Sequence, residues 1–257
     1  MWEIFQIYLV NNMVTIIMPT YKRNDFLSHP NHPTLNLTKD SLVDKLIIVW
    51  QNIGEEVPDN VIHNIKNIGI FEKVEFKFPT KNSLNNRFYP YDTTECVLSI
   101  DDDYLITNEA LEKCYDTWLK NKKSIVGVIP RFMSENQYDG AAATCGANCK
   151  YNLILTGGAI FNKEMLSLYT GDHKNLKLMN DVFNGEDIMF NYVHNHHFKT
   201  TPIYVHDDRV KTWKRIRGNS ISDRSGGSHI SKRYKIFKIM KEKYGDVLIT
   251  NYRKYTV

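Results

Sequence analysis

Residues 97–103 read Val-Leu-Ser-Ile-Asp-Asp-Asp, so a short apolar run ends abruptly in three consecutive carboxylates. An uncharged apolar run of this length is typical of a buried strand. Because side chains alternate along an extended backbone, we expect Asp101 and Asp103 to share one face at the carboxyl end of that strand. Neighbouring carboxylates repel each other unless a cation neutralises them or water solvates them. The surroundings of this triplet therefore decide what the chain does.

The acidic triplet Asp101, Asp102 and Asp103 has two interpretations. Hard divalent cations such as Mg²⁺ and Mn²⁺ bind carboxylates together with the phosphates of a substrate, so the triplet fits a metal site. Alternatively, it is a solvated acidic turn that caps a helix starting near Thr107. The triplet by itself favours neither interpretation, and the rest of the chain has to distinguish them.

The totals restrict the class of protein. A chain of 257 residues with 42% hydrophobic and 24% charged residues is long enough for one large α/β domain or two small ones. No apolar stretch approaches the roughly 18 residues that span a bilayer. Residues 1–12 contain Glu3 and Gln6 and lack a basic segment and a cleavage site, which argues against a secretory signal. We therefore expect a soluble, cytoplasmic protein folded as a single domain over residues 1–257.

Charge is distributed unevenly along the chain. From Asp207 onward there are 14 Lys and Arg residues against five Asp and Glu residues, which gives this segment a formal charge of +9 and leaves −5 for the rest. A basic segment behind an acidic centre suits an anionic ligand such as a nucleotide diphosphate. It is equally compatible with nucleic-acid contacts or with a solvated helix face.

Apolar runs that alternate with amphipathic segments predict an α/β fold with a mostly parallel, doubly wound sheet flanked by helices. The predicted strands cover residues 13–18, 45–50, 74–78, 96–100, 124–129, 152–161 and 203–205. The predicted helical segments cover residues 38–44, 83–87, 110–119, 164–169, 184–197 and 231–244. Between them we expect a broken segment after Arg23, a Gly/Ala-rich loop at 140–147, a polar loop at 170–180 and a segment rich in Gly, Ser and charge at 209–228.

In doubly wound sheets, ligands bind beyond the carboxyl ends of the strands. Three predicted strands are followed there by Arg23, by Asn52 and by the acidic triplet, a set that suits a nucleotide. No G-x-G-x-x-G follows the first strand and no G-x-x-x-x-G-K-[ST] occurs, which argues against a Rossmann dinucleotide site and a P-loop. The paired glycines Gly157 and Gly158 indicate either a bulge or a close approach of a ligand to the backbone.

Glu186 and Asp187 also have two interpretations. Asn184 suits a helix N-cap, and carboxylates in a first helical turn are stabilised by the helix dipole, so the local pattern favours a purely structural cap. The nearby histidines at 194, 196 and 197 end the same helix, where cationic side chains are favourable, and we interpret them as structural rather than as metal ligands.

The tryptophans and cysteines give weaker signals. Trp50 and Trp118 are predicted in the core, whereas Trp213 lies in the basic segment, where it either stacks on a sugar ring or has no such role. The two cysteines at 96 and 114 are expected to be buried and unpaired. The pair at 145 and 149 is either reduced or a disulfide, and it lacks a second ligand pair for zinc.

Taken in order, these stretches resemble the exostosin-type glycosyltransferase family, the α-1,4-N-acetylhexosaminyltransferase domains of heparan-sulfate synthesis. The resemblance runs over about residues 14–244. The matching stretches are 14–23, 46–54, Asn82 with 86–87, 97–103, 125–131, 155–161 and 186–191.

This resemblance implies a GT-A fold and a retaining glycosyltransferase that moves an N-acetylhexosamine, GlcNAc or GalNAc, from a UDP-sugar to a glycan acceptor. Residues 13–130 would form the nucleotide-binding half and residues 131–257 the acceptor-binding half. The implied cofactor is Mn²⁺, with Mg²⁺ as an alternative. No nucleic-acid partner is implied, and the resemblance leaves the acceptor open.

The resemblance also assigns roles to individual residues. Asp103 would be the direct metal ligand, with Asp101 and Asp102 reaching the ribose or metal-bound water, and Asp101 supporting the metal. Asp187 would lie near the anomeric carbon, beside Glu186, where such relatives usually have a second Asp. The residues assigned to the uridine and ribose are Arg23, Asn52, Asn82 and Arg87, and those assigned to the diphosphate are His229 and Arg233.

Two further functions stay open on the sequence. One is a transferase of the same fold that uses a different nucleotide sugar or inverts the anomeric configuration. The other is a non-catalytic carbohydrate- or nucleic-acid-binding protein that binds through its basic segment.

Overall fold

A seven-stranded mixed sheet lies at the centre of the protein in a computed structural model that describes residues 14–139, 148–207, 211–212 and 228–254. The strands are β1 (Val14–Thr20), β2 (Val43–Trp50), β3 (Val74–Lys77), β4 (Cys96–Ile100), β5 (Tyr104–Leu105), β6 (Val126–Gly127), β7 (Pro130–Met133), β8 (Tyr138–Asp139), β9 (Asn148–Tyr151), β10 (Leu153–Ile154), β11 (Gly158–Asn162), β12 (Ile203–Tyr204), β13 (Lys211–Thr212) and β14 (Asn251–Lys254). The order across the large sheet is β12-β6-β11-β4-β1-β2-β3.

Helices cover both faces of this sheet. They are α1 (Asn24–Leu27), α2 (Pro33–Leu37), α3 (Asp59–Asn67), α4 (Asn108–Lys120), α5 (Glu164–Thr170), α6 (His173–Val182), α7 (Glu186–Phe198) and α8 (Ser228–Tyr244), with short 3-10 helices at Phe71–Lys73 and Leu84–Phe88. Among the described helices, none is both long and apolar enough to cross a lipid bilayer.

Strand β1 lies at the point where the sheet reverses its direction of winding. It pairs in parallel with β2 on one side and with β4 on the other, so Ile16 faces Leu46 in one strand and Leu98 in the next. The chain therefore builds β2 and β3 on one side of β1 and returns to place β4 on the other. Ligands of open α/β sheets bind at such a reversal, beyond the carboxyl ends of the two strands.

Both faces of the sheet are buried. Ile16 and Met18 of β1 belong to one apolar cluster, and Ile17 belongs to the cluster on the opposite face. Because side chains of a strand alternate between faces, a strand buried on both faces needs a continuous apolar run, as the sequence shows. Four of the six neighbouring strand pairs are parallel, and only β11 runs antiparallel to its neighbours β4 and β6. The predicted α/β class with a mostly parallel sheet is confirmed.

The helix predicted at residues 38–44 is wrong. Helix α2 begins earlier, because Pro33 occupies its first position, where a missing N–H costs nothing. It ends at Leu37, and the Thr38 hydroxyl donates to the carbonyl oxygen of Thr34 at 2.9 Å. Residues 43 and 44 already belong to β2.

The polar loop predicted at residues 170–180 is also wrong, because most of it is helix α6. The Asp172 carboxylate accepts hydrogen bonds from the backbone N–H groups of Lys174 and Asn175, both at 3.1 Å, and so caps this helix. Met179 and Val182 are buried on its inner face. Leu176 and Leu178 are partly buried against the same apolar cluster, so a cap and a short apolar stripe hold this helix.

Two predicted strands are shorter than expected. The run 152–161 is interrupted by a turn at residues 155–157, so it forms β10 and β11, which pair with different strands. The run 124–129 supplies only the two residues of β6 to the large sheet. The predictions at 13–18, 45–50, 74–78, 96–100, 203–205, 83–87, 110–119, 164–169, 184–197 and 231–244 are confirmed to within a few residues.

The predicted core positions of Trp50, Trp118, Cys96 and Cys114 are confirmed, because each is at most 4% exposed and both cysteines are unpaired. Other predictions lie outside the described residues. They concern residues 1–12, the loop 140–147 with Cys145, Trp213 and most of 209–228.

Candidate active site

The end of β1 and the end of β4 meet at the winding reversal. Arg23, just after β1, forms an ion pair with Asp102 and a second one with Asp103, where Nη1 lies 2.9 Å from Oδ2. Thr20, the last residue of β1, donates a hydrogen bond from its hydroxyl to Asp102 Oδ2 at 2.8 Å. The structure therefore brings Arg23 and the acidic triplet into direct contact. The sequence predicted this only through the rule that the binding residues of a doubly wound sheet lie beyond the carboxyl ends of its strands.

Asp101 contacts a different arginine. The 3-10 helix Leu84–Phe88 carries Arg87, whose Nη2 lies 2.7 Å from Asp101 Oδ1. Arg87 is buried, and its Nη1 lies 3.4 Å from the Thr156 hydroxyl. A Cβ atom on Gly157 would come within 2.4 Å of Asp101 Oδ2, so any side chain here would force the Asp101 carboxylate to move. The group that approaches the backbone at Gly157 is the Asp101 side chain, and the approach of a ligand to the paired glycines stays a prediction.

The acidic triplet forms a turn rather than a continuation of β4. The strand ends at Ile100, and the Tyr104 N–H donates to the Asp101 carbonyl oxygen at 3.2 Å. The expected alternation of Asp101 and Asp103 along an extended strand therefore fails. The alternative interpretation as a helix cap is wrong too, because α4 is capped by the hydroxyl of Thr107, which accepts from Ala110 N at 3.3 Å.

Burial raises the pKa of two carboxyl groups of the triplet. The pKa of Asp102 rises to about 6, mainly because it is buried, although the charge of Arg23 opposes the rise. The pKa of Asp103 is raised by burial and next by the negative charge of Asp101. A cation placed between two neighbouring carboxylates stabilises their ionised forms. In the free protein, Arg23 and Arg87 supply part of this positive charge.

Asn52 and Asn82 lie at the same edge of the sheet but differ in their contacts. The Asn52 side-chain oxygen accepts a hydrogen bond from the backbone N–H of Lys22 at 2.7 Å, and Lys22 has a left-handed backbone with φ of 54°. Asn52 therefore fixes the strained turn that presents Arg23. Asn82 is half-buried, and its side chain forms no hydrogen bond to another described residue.

A second cluster lies where helices α7 and α8 pack together. Arg233 of α8 is buried, and its Nη2 lies 2.5 Å from Asp187 Oδ2. The other oxygen of Asp187 accepts from the N–H of Ile188 at 2.7 Å. A buried ion pair with a further backbone hydrogen bond holds the Asp187 carboxylate in one orientation.

The interpretation of Asn184 as a helix cap is wrong. The N-cap of α7 is Gly185, in a left-handed conformation with φ of 82°, and it makes no side-chain cap. Asn184 instead accepts from Arg233 Nη1 at 3.4 Å and lies 2.8 Å from His229 Nδ1 through its amide nitrogen. Asn184 is therefore a site residue that sequence reasoning assigned to local structure.

The same hydrogen bond defines the state of His229. Because the oxygen of Asn184 faces Arg233, its amide nitrogen donates to His229 Nδ1, which leaves the proton on Nε2. The pKa of His229 is lowered by burial and next by the charge of Arg233. A neutral imidazole with its proton on Nε2 can donate a hydrogen bond to an acceptor such as a phosphate oxygen.

Glu186 has the most perturbed environment in this cluster. Burial and the adjacent Asp187 raise the pKa of Glu186 to about 7, while Arg87 and Arg233 oppose the rise. Its side chain is half-buried, accepts a hydrogen bond from its own backbone N–H, and forms no ion pair within the described part of the chain. A carboxyl group that is half ionised near neutral pH and has no partner on another described residue is available to a ligand.

Arg87 connects the two clusters electrostatically. Burial lowers its pKa, but the charges of Asp101, Glu186 and Asp187 together raise the pKa above the ordinary value for arginine. One buried cation thus interacts with the triplet and with the acidic pair of α7. The acidic pair of α7 therefore lies within electrostatic range of the arginine that forms the ion pair with Asp101.

The described residues contain no group of three or more His, Cys, Asp and Glu side chains arranged to hold a metal ion by themselves. A magnesium- or manganese-type site needs only one or two carboxylates when substrate phosphates supply further ligands. Asp101 and Asp103 meet that requirement, since they interact with each other and the side chain of Asp101 is 42% exposed. The donor set fits a divalent ion that arrives with a phosphorylated substrate.

The helix-end histidines pack against aromatic rings. His194 lies 5.0 Å from Phe198 between ring centroids, and burial lowers its pKa to about 4. The ring of His196 lies 4.9 Å from that of Tyr244 in a tilted arrangement, and His197 Nε2 lies 3.5 Å from Glu164 Oε1. These contacts agree with the structural interpretation.

Sequence reasoning missed several residues that support the site. Three of them are polar side chains at or next to a strand end, a position that could have identified them, and the fourth is an aromatic ring. They are Thr20, Gln51, Thr156 and Tyr138, the last lying 5.0 Å from the Arg233 guanidinium across its ring.

Fold and site together define an α/β protein with an arginine-neutralised carboxylate centre at its topological reversal. Comparison with known proteins identifies the class: the family model described as the glycosyl transferase family 64 domain matches residues 14–256. The chain belongs to this family and is an exostosin-like glycosyltransferase. The resemblance found in the sequence is thereby confirmed.

Three relatives show the extent of the similarity. Exostosin-like 2 of Homo sapiens is 29% identical over 266 residues, which cover 93% of this chain and 77% of the relative. The Exostosin-like-3 homolog of Caenorhabditis elegans is 28% identical over 236 residues, and the chain spans only 27% of its length. Glucosamine inositolphosphorylceramide transferase 1 of Arabidopsis thaliana is 29% identical over 59% of this chain and 20% of its own length.

Proposed function

We propose that this chain is a retaining, Mn²⁺-dependent glycosyltransferase of GT-A type that moves an N-acetylhexosamine from a UDP-sugar to a glycan acceptor. One observation carries the proposal: Arg87 interacts with both the triplet at Asp101 and the acidic pair that begins α7. A sugar nucleotide needs both parts, one for its diphosphate and one for the carbon at which the sugar is transferred.

The nucleotide half of the substrate would bind at the carboxyl ends of β1, β2 and β4. Asn82 has no side-chain hydrogen bond within the described residues, so its amide is available to the uracil or ribose. Arg23 and Arg87 neutralise the triplet in the free protein. These two guanidinium groups would also contact the nucleotide, the role that the family resemblance assigns to Arg23 and Arg87.

Asp103 and Asp101 would hold the divalent ion together with the diphosphate. When bound, Mn²⁺ supplies electrostatic stabilisation of the charge that develops on the leaving diphosphate. Arg233 and the Nε2–H of His229 are the chain's own groups for the same charge, because both lie beside Asp187.

Asp187 would stabilise the positive charge that develops at the anomeric carbon, or bond to that carbon, as retention requires by analogy with glycosidases. Arg233 holds this carboxylate in a fixed orientation. Glu186 would accept or donate a hydrogen bond to the sugar, since its pKa of about 7 allows either form at neutral pH. The choice of a hexosamine draws support from the relative named for glucosamine transfer. Cytoplasmic location stays a prediction.

The test measures UDP release and product formation with UDP-GlcNAc, UDP-GalNAc, UDP-glucose and UDP-galactose, with Mn²⁺ or with a chelator. We expect one of the two N-acetylhexosamine donors to react fastest, and only with the metal. Asp103→Asn should reduce turnover by about a hundredfold or more. The control Asp92→Asn removes a carboxylate whose side chain is 95% exposed and should leave turnover unchanged.

Three outcomes would contradict parts of the proposal. Full activity in the presence of the chelator, or in Asp103→Asn, would contradict the requirement for a metal ion. A product with inverted anomeric configuration, seen in the coupling of its anomeric proton, would contradict the retaining mechanism. Binding of polyanions that depends on salt, with no turnover of any donor, favours the non-catalytic alternative.

A further inference from the structure

Gln51 joins the end of β2 to the segment that carries Arg87. It follows the last residue of β2 and is 5% exposed. Its side-chain oxygen accepts hydrogen bonds from the backbone N–H of Ser83 at 3.0 Å and from the side-chain amide of Asn86 at 2.9 Å. Because both partners are donors, the atom that faces them is the oxygen, and the orientation of the Gln51 amide is fixed. One buried oxygen therefore holds two positions of the segment 81–88.

The segment 81–88 depends on such contacts for its position. Its regular part is a 3-10 helix of 5 residues, and a helix this short has few hydrogen bonds of its own. The Asn86 amide also donates to the carbonyl oxygen of Lys81 at 2.8 Å, so it closes a loop that contains Asn82. Displacing this amide therefore affects Asn82 on one side and Arg87 on the other.

Two adjacent residues at the end of β2 hold different parts of the site. Asn52 accepts from the backbone N–H of Lys22 and so holds the turn that presents Arg23. Gln51, one position earlier, holds the segment with Arg87. These are the two arginines that form ion pairs with the acidic triplet. The end of β2 thus sets the positions of both.

We propose that Gln51 is a positioning residue for the nucleotide site, and that its oxygen sets the places of Asn82 and Arg87. This inference rests on the proposed function, which assigns both of these residues to the uridine and ribose. That part of the donor does not react, so displacing the segment weakens binding of the ground state and of the transition state alike. Such a loss raises KM more than it lowers kcat.

The test compares two substitutions of this residue. Gln51→Met removes the accepting oxygen at nearly the same side-chain volume. Gln51→Glu keeps an oxygen in its place, and it breaks no other bond, because the amide nitrogen of Gln51 makes no hydrogen bond to the described residues. The rescue by Gln51→Glu therefore distinguishes loss of the acceptor from a general effect of substitution.

Two measurements follow both variants. In the free protein, amide hydrogen exchange at Ser83 should be about tenfold faster in Gln51→Met and close to that of the wild type in Gln51→Glu. Titration with UDP and Mn²⁺ should show about tenfold weaker binding to Gln51→Met, since buried donors are left without their acceptor. The KM for the sugar donor should rise by a similar factor, with kcat changed less than about threefold. Gln51→Glu should recover the affinity.

The matched control is Thr15→Val at the opposite end of the sheet. Thr15 is fully buried, and its hydroxyl accepts from the backbone N–H of Thr94 at 2.9 Å, so this change also removes a side-chain acceptor from a backbone donor. It should lower the temperature of unfolding as Gln51→Met does, and it should leave the KM and the affinity for UDP unchanged.

Several outcomes overturn the inference. It fails if Gln51→Met binds UDP as the wild type does, or if Thr15→Val raises KM equally, because stability alone would then explain the loss. It also fails if Gln51→Glu restores the protection of Ser83 without restoring the affinity. A wild type that binds no UDP in the presence of Mn²⁺ contradicts the proposed function, and this inference with it. A wild type that binds UDP, with Gln51→Met equal to it, overturns this inference alone.

Discussion

At the scale of single residues, the site depends on the absence of a side chain at Gly157 as much as on its charged groups. Gly157 lies so close to Asp101 that any side chain would displace the carboxylate from Arg87. The paired glycines could be recognised in the sequence as a point of close approach. Their partner could not, because the pairing of β11 with β4 is a long-range contact that no local pattern records.

The ion pair between Asp187 and Arg233 allows function to be separated from stability. Removing one member of a buried pair leaves the other charge uncompensated, which typically costs about 3–5 kcal/mol. We expect Asp187→Asn to lose this much stability in urea unfolding and to lose transferase activity. The double variant D187N/R233M, which removes both charges, should recover much of the stability and none of the activity.

Two results would contradict this prediction for Asp187→Asn and D187N/R233M. Recovery of turnover in D187N/R233M would show that the pair is structural and that the reaction does not use the carboxylate. If the double variant is as unstable as Asp187→Asn, the geometry of the pair contributes more than its charge balance.

At the scale of elements, helix α6 shows how few residues determine a local structure. The Asp172 carboxylate caps the helix and also forms an ion pair with Lys243 of α8. Burial opposes, but the hydrogen bonds from Lys243 and from the helix backbone outweigh it and lower the pKa of Asp172. This one side chain therefore ties the start of α6 to the end of α8.

We expect Asp172→Ala to destabilise the protein by about 1–2 kcal/mol, since the cap is lost. Asp172→Asn keeps a capping oxygen and loses only the charge, so it should cost less, within about 1 kcal/mol. Chemical denaturation at pH 7 measures both. Equal losses in the two variants would assign the effect to the ion pair with Lys243 and not to the cap.

The elements that sequence reasoning found and missed differ in one physical respect. The strands β1, β2 and β4 are largely buried on both faces, so each appears as an apolar run that needs no partner to be recognised. Helix α6 has only a narrow apolar stripe, and its sequence is polar enough to suggest a loop. The helix predicted at 38–44 failed because Pro33 starts the helix earlier and the strand β2 claims Val43.

The site residues divide in the same way, into those that a general rule of the fold predicts and those that only long-range packing brings together. The doubly wound topology predicted that Arg23, Asn52 and the triplet would meet, and they lie at one edge of the sheet. The role of Asn184 escaped prediction because its local pattern suits a helix cap equally well. Only the packing of α8 against α7 places Arg233 and His229 within reach of that amide.

At the scale of the whole molecule, buried titratable groups of two kinds oppose each other as pH changes. Glu186 has a pKa of about 7 in the folded protein against an ordinary 4.5, so between these values the folded state binds more protons than the unfolded state. Its contribution to stability therefore falls as pH rises through this window. Asp102, with a pKa of about 6, acts in the same direction.

The buried histidines act in the opposite direction. Burial lowers the pKa of His194 to about 4 and that of His32 to about 3, against an ordinary 6.5. The folded state therefore binds fewer protons than the unfolded state below pH 6.5, and the stability that these neutral rings contribute is lost as pH falls toward 4. Near pH 5.5 the carboxyl and imidazole contributions partly cancel.

We expect two variants to separate these contributions. Glu186→Gln should gain stability relative to the wild type as pH rises from about 4.5 to 7, by about 1–3 kcal/mol across the window. His194→Gln should lose its relative advantage over the same range, because the wild type recovers the neutral ring as pH rises. The groups that face Glu186 are Asp187, Arg87 and Arg233, and all three remain unchanged in both proteins.

Urea unfolding at pH 4.5, 5.5, 6.5 and 7.5 measures how the stability difference between each variant and the wild type changes with pH. If the two changes have the same sign, burial does not govern the titration of one of the two groups. If both are flat, the carboxyl and the imidazole are solvated in the folded state, and a Glu186 with an ordinary pKa could no longer bind the donor sugar in either protonation state at neutral pH.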